Sequence, residues 1–246
     1  MRICAALVLS MTVLAIAPTL PAWAESSAAP GQPALDKAIE QYIRSHPEVI
    51  EQALQSLEVK RQEYERLRVV QTVATHQEEL LRDPASPVSG NLNGDVTVSE
   101  FFDYRCGYCK RAASAVTQLQ RDDPGVRVVY KDFPILGENS LVAATAALAS
   151  QAQGRHKEFH EALLAAKDTL TKDQILQIAR DVGLNTEKLV ADMDDSEWLA
   201  IIKRNQALAK DLGITGTPAF VVGNELVLGA VDLPVLKALI AQARRR

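Results

Sequence analysis

From Leu35 the apolar positions fall in a helical rhythm. Leu35, Ala38, Ile39, Tyr42 and Ile43 recur at three- and four-residue steps, which predicts an amphipathic helix beginning near Ala34. His46-Pro47 breaks it, because the residue before a proline avoids the helical region. A second series, Ile50, Leu54, Leu57, Tyr64, Leu67, Val70, Ala74 and Leu81, predicts one long helix from Pro47 to about Leu81. Its other positions are chiefly Glu, Gln, Lys and Arg. So narrow a stripe needs something to cover it. Lys60, Arg61 and Gln71 interrupt the heptads, so two readings stand: an oligomerisation stalk, or a helix folded back on its own domain.

The turn-rich run Asp83 to Gly94 reads as a linker, after which the period changes. Val96 to Phe102 predicts a strand, Lys110 to Gln120 a helix, and Val126 to Lys131 a buried strand ended by Phe133-Pro134. A helical block spans roughly 139–212, with helices expected over Ser140–Gln153, Lys157–Ala166, Thr171–Asp181, Thr186–Met193 and Glu197–Asp211. Gly216 to Gly229 reads as a hairpin turning at Gly223-Asn224, and Asp232 caps a last helix to Arg244. The fold class is therefore α/β. Without the block the order is that of a thioredoxin-like core, and the block, at about 138–212, is expected to be a small helical domain packed beside the active site. The domain reading is a leader over 1–24, a helical arm and linker over 25–86, and the catalytic domain over 87–246.

The chemistry lies where the first strand meets the first helix of that core, at Phe101-Phe-Asp-Tyr-Arg-Cys106-Gly-Tyr-Cys109-Lys110. This places Cys106 at a helix N-terminus, where unpaired N–H groups and the helix dipole favour a thiolate. Cys109 follows one turn later. A redox dithiol is the leading reading. A structural zinc site would need four N or S ligands, and no second Cys pair exists. An inert disulfide is the other alternative, although so short a loop would constrain the unfolded chain little.

The chain has 246 residues and a formal charge of −4, with no long basic block, so nucleic acid is not an implied partner. Arg2, the apolar run Ile3 to Leu20 and Ala22-Trp-Ala24 have the layout of a cleavable secretory signal. Its removal takes Cys4 with it and leaves Cys106 and Cys109 as the mature chain's cysteines. An exported protein with a single dithiol points to thiol–disulfide chemistry on other proteins.

These residues resemble the DsbA-like thiol–disulfide oxidoreductases of the bacterial envelope, and within them the ScsC group, associated with copper tolerance. The resemblance rests on Ile39 to Ile50, Gly90 to Val98, Phe101 to Tyr104, Cys106 to Lys110 and Asp132 to Gly137, and covers nearly all of the mature chain. It implies a periplasmic enzyme with Cys106 as attacking thiol and Cys109 as resolving thiol. Pro218 matches the cis-proline facing the dithiol, with Thr217 offering its backbone to a client chain; a trans-proline at a strand start is the alternative. Glu100 matches the buried acid that moves a proton to or from the second cysteine; an exposed strand residue is the alternative. Gly107-Tyr108 and Thr217-Pro218 look like the isomerase DsbC, and the dipeptide lacks histidine. The expectation is a less oxidising dithiol than DsbA's, acting as isomerase or reductase. A DsbA-type oxidase is the alternative, as is a Cu(I)-binding protein using Cys106 and Cys109. Implied partners are client proteins with disulfides or thiols, a membrane redox partner and further copies of the chain, a trimer by resemblance. No cofactor is implied.

Five other residues carry weaker signals. His156 and His160 lie four apart but without the acid of a catalytic zinc helix, and read as packing residues of the block. His46 and His76 read as solvated or interfacial, and Trp198 as a packing residue.

Overall fold

The computed structural model describes residues 31–167 and 169–245; the expected leader at 1–24 lies outside them. The described residues form two compact units, which divide between Leu57 and Glu58.

In the first unit, α1 (Gln32–Ser45) ends at His46, and α2 (Glu48–Thr75) starts beyond Pro47. Leu35, Ile39, Tyr42, Ile43, Ile50, Leu54 and Leu57 are all exposed. Within the described part of this unit no side chain is buried.

The second unit takes in the remainder of α2. The single helix expected to Leu81 is instead broken at His76, followed by α3 (Gln77–Leu81). Val73 and Leu80 are buried in the core of this unit, which is why the compact units divide at Leu57 rather than at the linker near residue 86. Apolar spacing along one helix does not reveal which of its turns meets a sheet.

The sheet is built from β1 (Val88–Gly90), β2 (Val96–Phe102), β3 (Val126–Asp132), β4 (Ala219–Val222) and β5 (Glu225–Leu228), in the order β1-β3-β2-β4-β5. β2 and β3 are parallel, with α4 (Gly107–Asp122) as their crossover; the other pairs are antiparallel. β1 lies inside the segment expected to be linker. Three residues are too few for a periodic signal, and the strand is fixed by its partner: Tyr130 N–H bonds Pro87 O at 2.9 Å and Ser89 Oγ meets Tyr130 Oη at 2.8 Å. Gly90 ends it with φ +78°, where a Cβ would stand 2.5 Å from Val126 O.

Period-2 alternation sorts the strands into two faces. Val98, Phe102, Val128, Phe220 and Val222 pack against α4 and α10 (Leu233–Ala243) through Val116, Leu119, Leu236 and Ile240. Phe101, Phe133, Ala219 and Val221 pack against Val73, Leu80 and, from α9 (Ser196–Asp211), Leu208. Between β3 and β4 the chain forms α5 (Glu138–Ala149), a short 3-10 turn, α6 (His156–Ala165), α7 (Lys172–Asp181), α8 (Thr186–Met193) and α9. This is the expected α/β plan, a thioredoxin-like core with a helical insertion. Asp232 Oδ1 accepts from Val235 N–H, as a cap should. No helix among the described residues is long and apolar enough to cross a membrane.

Lys131 is a buried charge on the second face. Its ammonium donates to Glu79 O, to Ser86 Oγ at 2.7 Å and to Asp83 Oδ2 at 3.3 Å. Asp83→Ala removes the carboxylate paired with that cation. Urea unfolding is expected to show a loss of about 2 kcal/mol, the cost typical of a buried donor losing its partner.

Candidate active site

Cys106 is the N-cap of α4, with extended backbone (φ −72°, ψ 116°). The turn before it is held by Asp103, whose Oδ1 accepts from Arg105 N–H at 2.8 Å. Asp103 Oδ2 accepts from Ile135 and Leu136 N–H at 2.9 and 3.0 Å. Arg105 Nη1 returns a bond to Leu136 O at 2.6 Å. The turn carrying Cys106 is thus tied to the loop after β3. Nothing in the local spacing of the sequence identified Asp103 for this work.

Cys106 is 7% exposed and its Sγ lies 3.2 Å from Thr217 O, 111 residues away. The Thr217–Pro218 peptide is cis. β4 follows immediately and pairs with β2, with Ala219 opposite Phe101 and Phe220 opposite Glu100. Gly229 N–H bonds Pro218 O at 2.8 Å. The sheet therefore brings together four residues singled out in the sequence: Cys106, Thr217, Pro218 and Glu100.

Both cysteines are unbridged here, and Cys109 is wholly enclosed. Burial pushes the Cys109 thiol far up; the nearness of Cys106 and Glu100 adds to this. The two sulfurs stand in unlike surroundings: Cys106 at a helix end, Cys109 one turn deeper. Next to them Tyr108 projects outward, 59% exposed, with the Arg111 guanidinium 4.2 Å from its ring centroid.

Glu100 is 2% exposed, not the surface strand residue of the alternative reading. Burial pushes its carboxyl up to about 8. It shares a sheet face with Tyr130, its register partner on β3. α6 closes over that face. His160 Nδ1 meets Tyr104 Oη at 2.9 Å, and its ring centroid is 4.2 Å from that of Tyr130 and 5.0 Å from that of Phe102. His156 lies 5.6 Å from His160 in the same stack. The pair is packed within the protein, and burial pushes His156 down to about 4 and His160 well below its usual range. His160 adjoins the site, which the sequence reading missed; the i, i+4 histidine pair was its only signal. Lys110 Nζ also reaches α6's end, donating to Ala166 O. His76 pairs with Glu79 at 2.8 Å, and Trp198 Nε1 donates to Asp192 O at 2.7 Å; neither touches the dithiol. Among the described residues no three His, Cys, Asp or Glu side chains are grouped to hold a metal ion.

The comparisons with known proteins agree with this geometry. A family model described as a DSBA-like thioredoxin domain matches residues 97–241. A thioredoxin-like oxidoreductase from Silicibacter pomeroyi is 48% identical, with 69% of this chain and 98% of that one covered and a TM-score of 0.68. The catalytic domain of Proteus mirabilis ScsC is 28% identical over 72% of this chain and 99% of its own, at a TM-score of 0.67. Among curated proteins, the Na(+)/H(+) antiporter NhaA 3 of Salinispora tropica is 30% identical over 63% of this chain. The match covers 24% of that antiporter, so the chain spans about a quarter of the length of such relatives.

The Glu100 carboxyl should be visible in stability. Its folded value, about 8, lies above the ordinary 4.5, so the unfolded chain releases this proton first. Its contribution is complete below 4.5 and is lost as pH rises through about 8. The two histidines act oppositely, losing stability only as pH falls below 6.5. Between 6.5 and 8 the histidines are silent, while Asp132, which burial also raises, acts in the same direction as Glu100, so the difference from a Glu100→Gln variant isolates Glu100. Urea midpoints of the reduced protein should fall across that window and fall less steeply in Glu100→Gln; equal slopes in both would refute the assignment.

Proposed function

The chain belongs to the DsbA-like thioredoxin family, and from that premise we propose that it is a thiol–disulfide oxidoreductase of the ScsC type, acting on other proteins in the bacterial envelope. The observation that carries this reading is the place of Cys106 Sγ, at the N-terminus of α4 and 3.2 Å from the Thr217 carbonyl. The unpaired N–H groups of the first turn favour negative charge on that sulfur. The cysteine thiolate is the nucleophile of exchange.

Cys106 attacks one sulfur of a client disulfide, and a mixed disulfide forms as the other client thiolate leaves. Cys109 lies one turn behind and resolves it, or a client thiol completes a reshuffle. Glu100 accepts or returns the Cys109 proton. The exposed Tyr108, with Ile135 and Leu136 on the loop tied to Arg105, offers an apolar surface to a client beside the sulfur. The backbone at Thr217 is the edge along which an extended client segment pairs.

Isomerase or reductase is the finer reading. Gly107-Tyr108 carries no histidine to stabilise the thiolate further, so the dithiol is poised below a strong oxidant. The apolar stripe of α1 and the start of α2 is exposed in the single chain, and a homo-oligomer, a trimer by resemblance, covers it. Several dithiols then face one client. A membrane redox partner restores the dithiol.

Cys109→Ala should accumulate client proteins on Cys106 as mixed disulfides, seen as thiol-reversible shifts on non-reducing gels. Deleting the mature chain up to Leu57 should abolish refolding of scrambled, mis-bridged substrate while leaving oxidation and reduction of single disulfides intact. A truncated form that still isomerises at the full rate rules out the multi-site reading.

A further inference from the structure

The rim of the dithiol is basic, in a chain whose formal charge is −4. Arg105 precedes Cys106, and Arg111 lies one helical turn beyond Gly107 on α4. Each guanidinium is held in place. Arg105 Nη1 donates to Leu136 O at 2.6 Å, and a Cβ at Gly137 would stand 3.8 Å from that nitrogen. The Arg111 guanidinium lies over the Tyr108 ring, and a Cβ at Gly107 would stand 3.9 Å from its Nη1. One cation therefore sits on the loop after β3, the other against the backbone between the two cysteines. Neither is paired with a carboxylate among the described residues. The acids around them are engaged elsewhere. Asp103 takes three backbone N–H groups, and Asp232, which shares a groove with Arg111, caps α10 through Val235 N–H. Glu138 is the first residue of α5, where the helix N-terminus favours its charge. The bond to Leu136 uses one of the five N–H donors of Arg105, and stacking on a ring leaves the in-plane donors of Arg111 available.

We propose that Arg105 and Arg111 read the charge beside the client's cysteine, so that the protein favours client disulfides with an Asp or Glu within two residues of the bridged sulfur. The proposal rests on the reading of Cys106 as attacking thiol and adds the class of client. During attack a client sulfur has to reach Cys106 Sγ, so its neighbours in the client chain lie over the motif and the loop beside it. Two extended residues span about 7 Å, which brings a client side chain in that range to one guanidinium or the other. A carboxylate there meets planar donors matched to its two oxygens, and a lysine or arginine is repelled. Tyr108 and Leu136, which hold the two cations, are themselves exposed, so the charge is read beside an apolar contact. The effect is selective rather than tight, because exposed ion pairs change an equilibrium by up to about fivefold and salt screens them. Neither arginine takes part in the exchange itself. In that step the Cys106 thiolate bonds one client sulfur, the client S–S bond breaks, and the other sulfur leaves with its electron pair.

The test uses the full chain, reduced, with three peptides of one length, each carrying a single cysteine bridged to thiopyridine. The cysteine is flanked on both sides by Glu, by Gln or by Lys. Cys106 takes the peptide sulfur, and thiopyridine, the better leaving group, departs with the electron pair and takes a proton from solvent; stopped-flow absorbance follows its release. Each rate is divided by that of the same peptide with a small neutral thiol, which removes differences in intrinsic reactivity. The unmodified protein should prefer the Glu peptide to the Gln peptide by at least about threefold, with the Lys peptide slowest, and the preference should shrink as ionic strength rises. Arg105→Gln and Arg111→Gln should each lower the Glu-to-Gln ratio by about twofold or more, whereas Arg111→Lys, which keeps the charge, should retain most of it. The ratio cancels any change common to all peptides, such as a loop loosened when Arg105 loses Leu136. Equal rates for the three peptides in the unmodified protein, or a ratio unchanged in both Gln variants, would overturn the proposal. If the unmodified protein releases thiopyridine from no peptide, the reading of Cys106 fails instead, and the proposal with it. Should Arg105→Gln misfold, seen as no release from any peptide, Arg111→Gln decides.

Discussion

Three backbone N–H groups, those of Arg105, Ile135 and Leu136, converge on the Asp103 carboxylate, and the site depends on that convergence. Hydrogen bonds to an ionised acceptor are shorter and stronger than neutral ones. Here they join the turn after β2 to the loop after β3, two segments 32 residues apart. The join fixes where α4 begins. It therefore fixes Cys106 as the N-cap and sets its sulfur against the Thr217 carbonyl, which arrives from the far end of the chain on β4. An apolar residue at 103 would strand three donors and free the turn, although the sheet beneath would remain.

Much of this was legible in the sequence because it is written locally. The strand pattern from Val96, the helix from Lys110 and the Cys-x-x-Cys between them place the sulfur without any tertiary knowledge. The i, i+3, i+4 steps gave the insertion its helices to within a residue or two, Thr186–Met193 among them. What escaped depends on contacts distant in sequence. β1 is a strand because Tyr130 and Pro87 pair, not because Val88-Ser-Gly is strand-like. α2 breaks at His76 with no proline or glycine to announce it, and Val73 and Leu80 turn inward because a sheet face is there to receive them. Glu100 looks like any charge in an alternating strand until α4 and α6 close over it.

The same face carries an unusual load of buried polarity. The register sets Glu100 opposite Tyr130 and Phe102 opposite Asp132, so both acids point the same way. Burial raises both carboxyls, Asp132's well above its usual range, and Glu100 Oε1 and both Asp132 carboxyl oxygens lack protein partners. Buried polar atoms without partners cost stability, typically about 1–3 kcal/mol each. An apolar core would serve the fold better. Tyr104, His160 and His156 line the opposite side of this layer from the turn and α6, which makes the helical insertion part of the site's electrostatics rather than a bystander to it.

That arrangement also explains why two cysteines one helical turn apart can do different work. Cys106 stands where negative charge is welcome. Cys109 stands where it is not: enclosed, next to Cys106, and beside Glu100, whose own ionisation would repel a thiolate. Burial thus disfavours a lone Cys109 thiolate, and in the proposed reaction resolution has to move proton and electron pair together. In that reaction, the enclosure that disfavours a Cys109 thiolate is also what calls for a carboxyl such as Glu100 nearby.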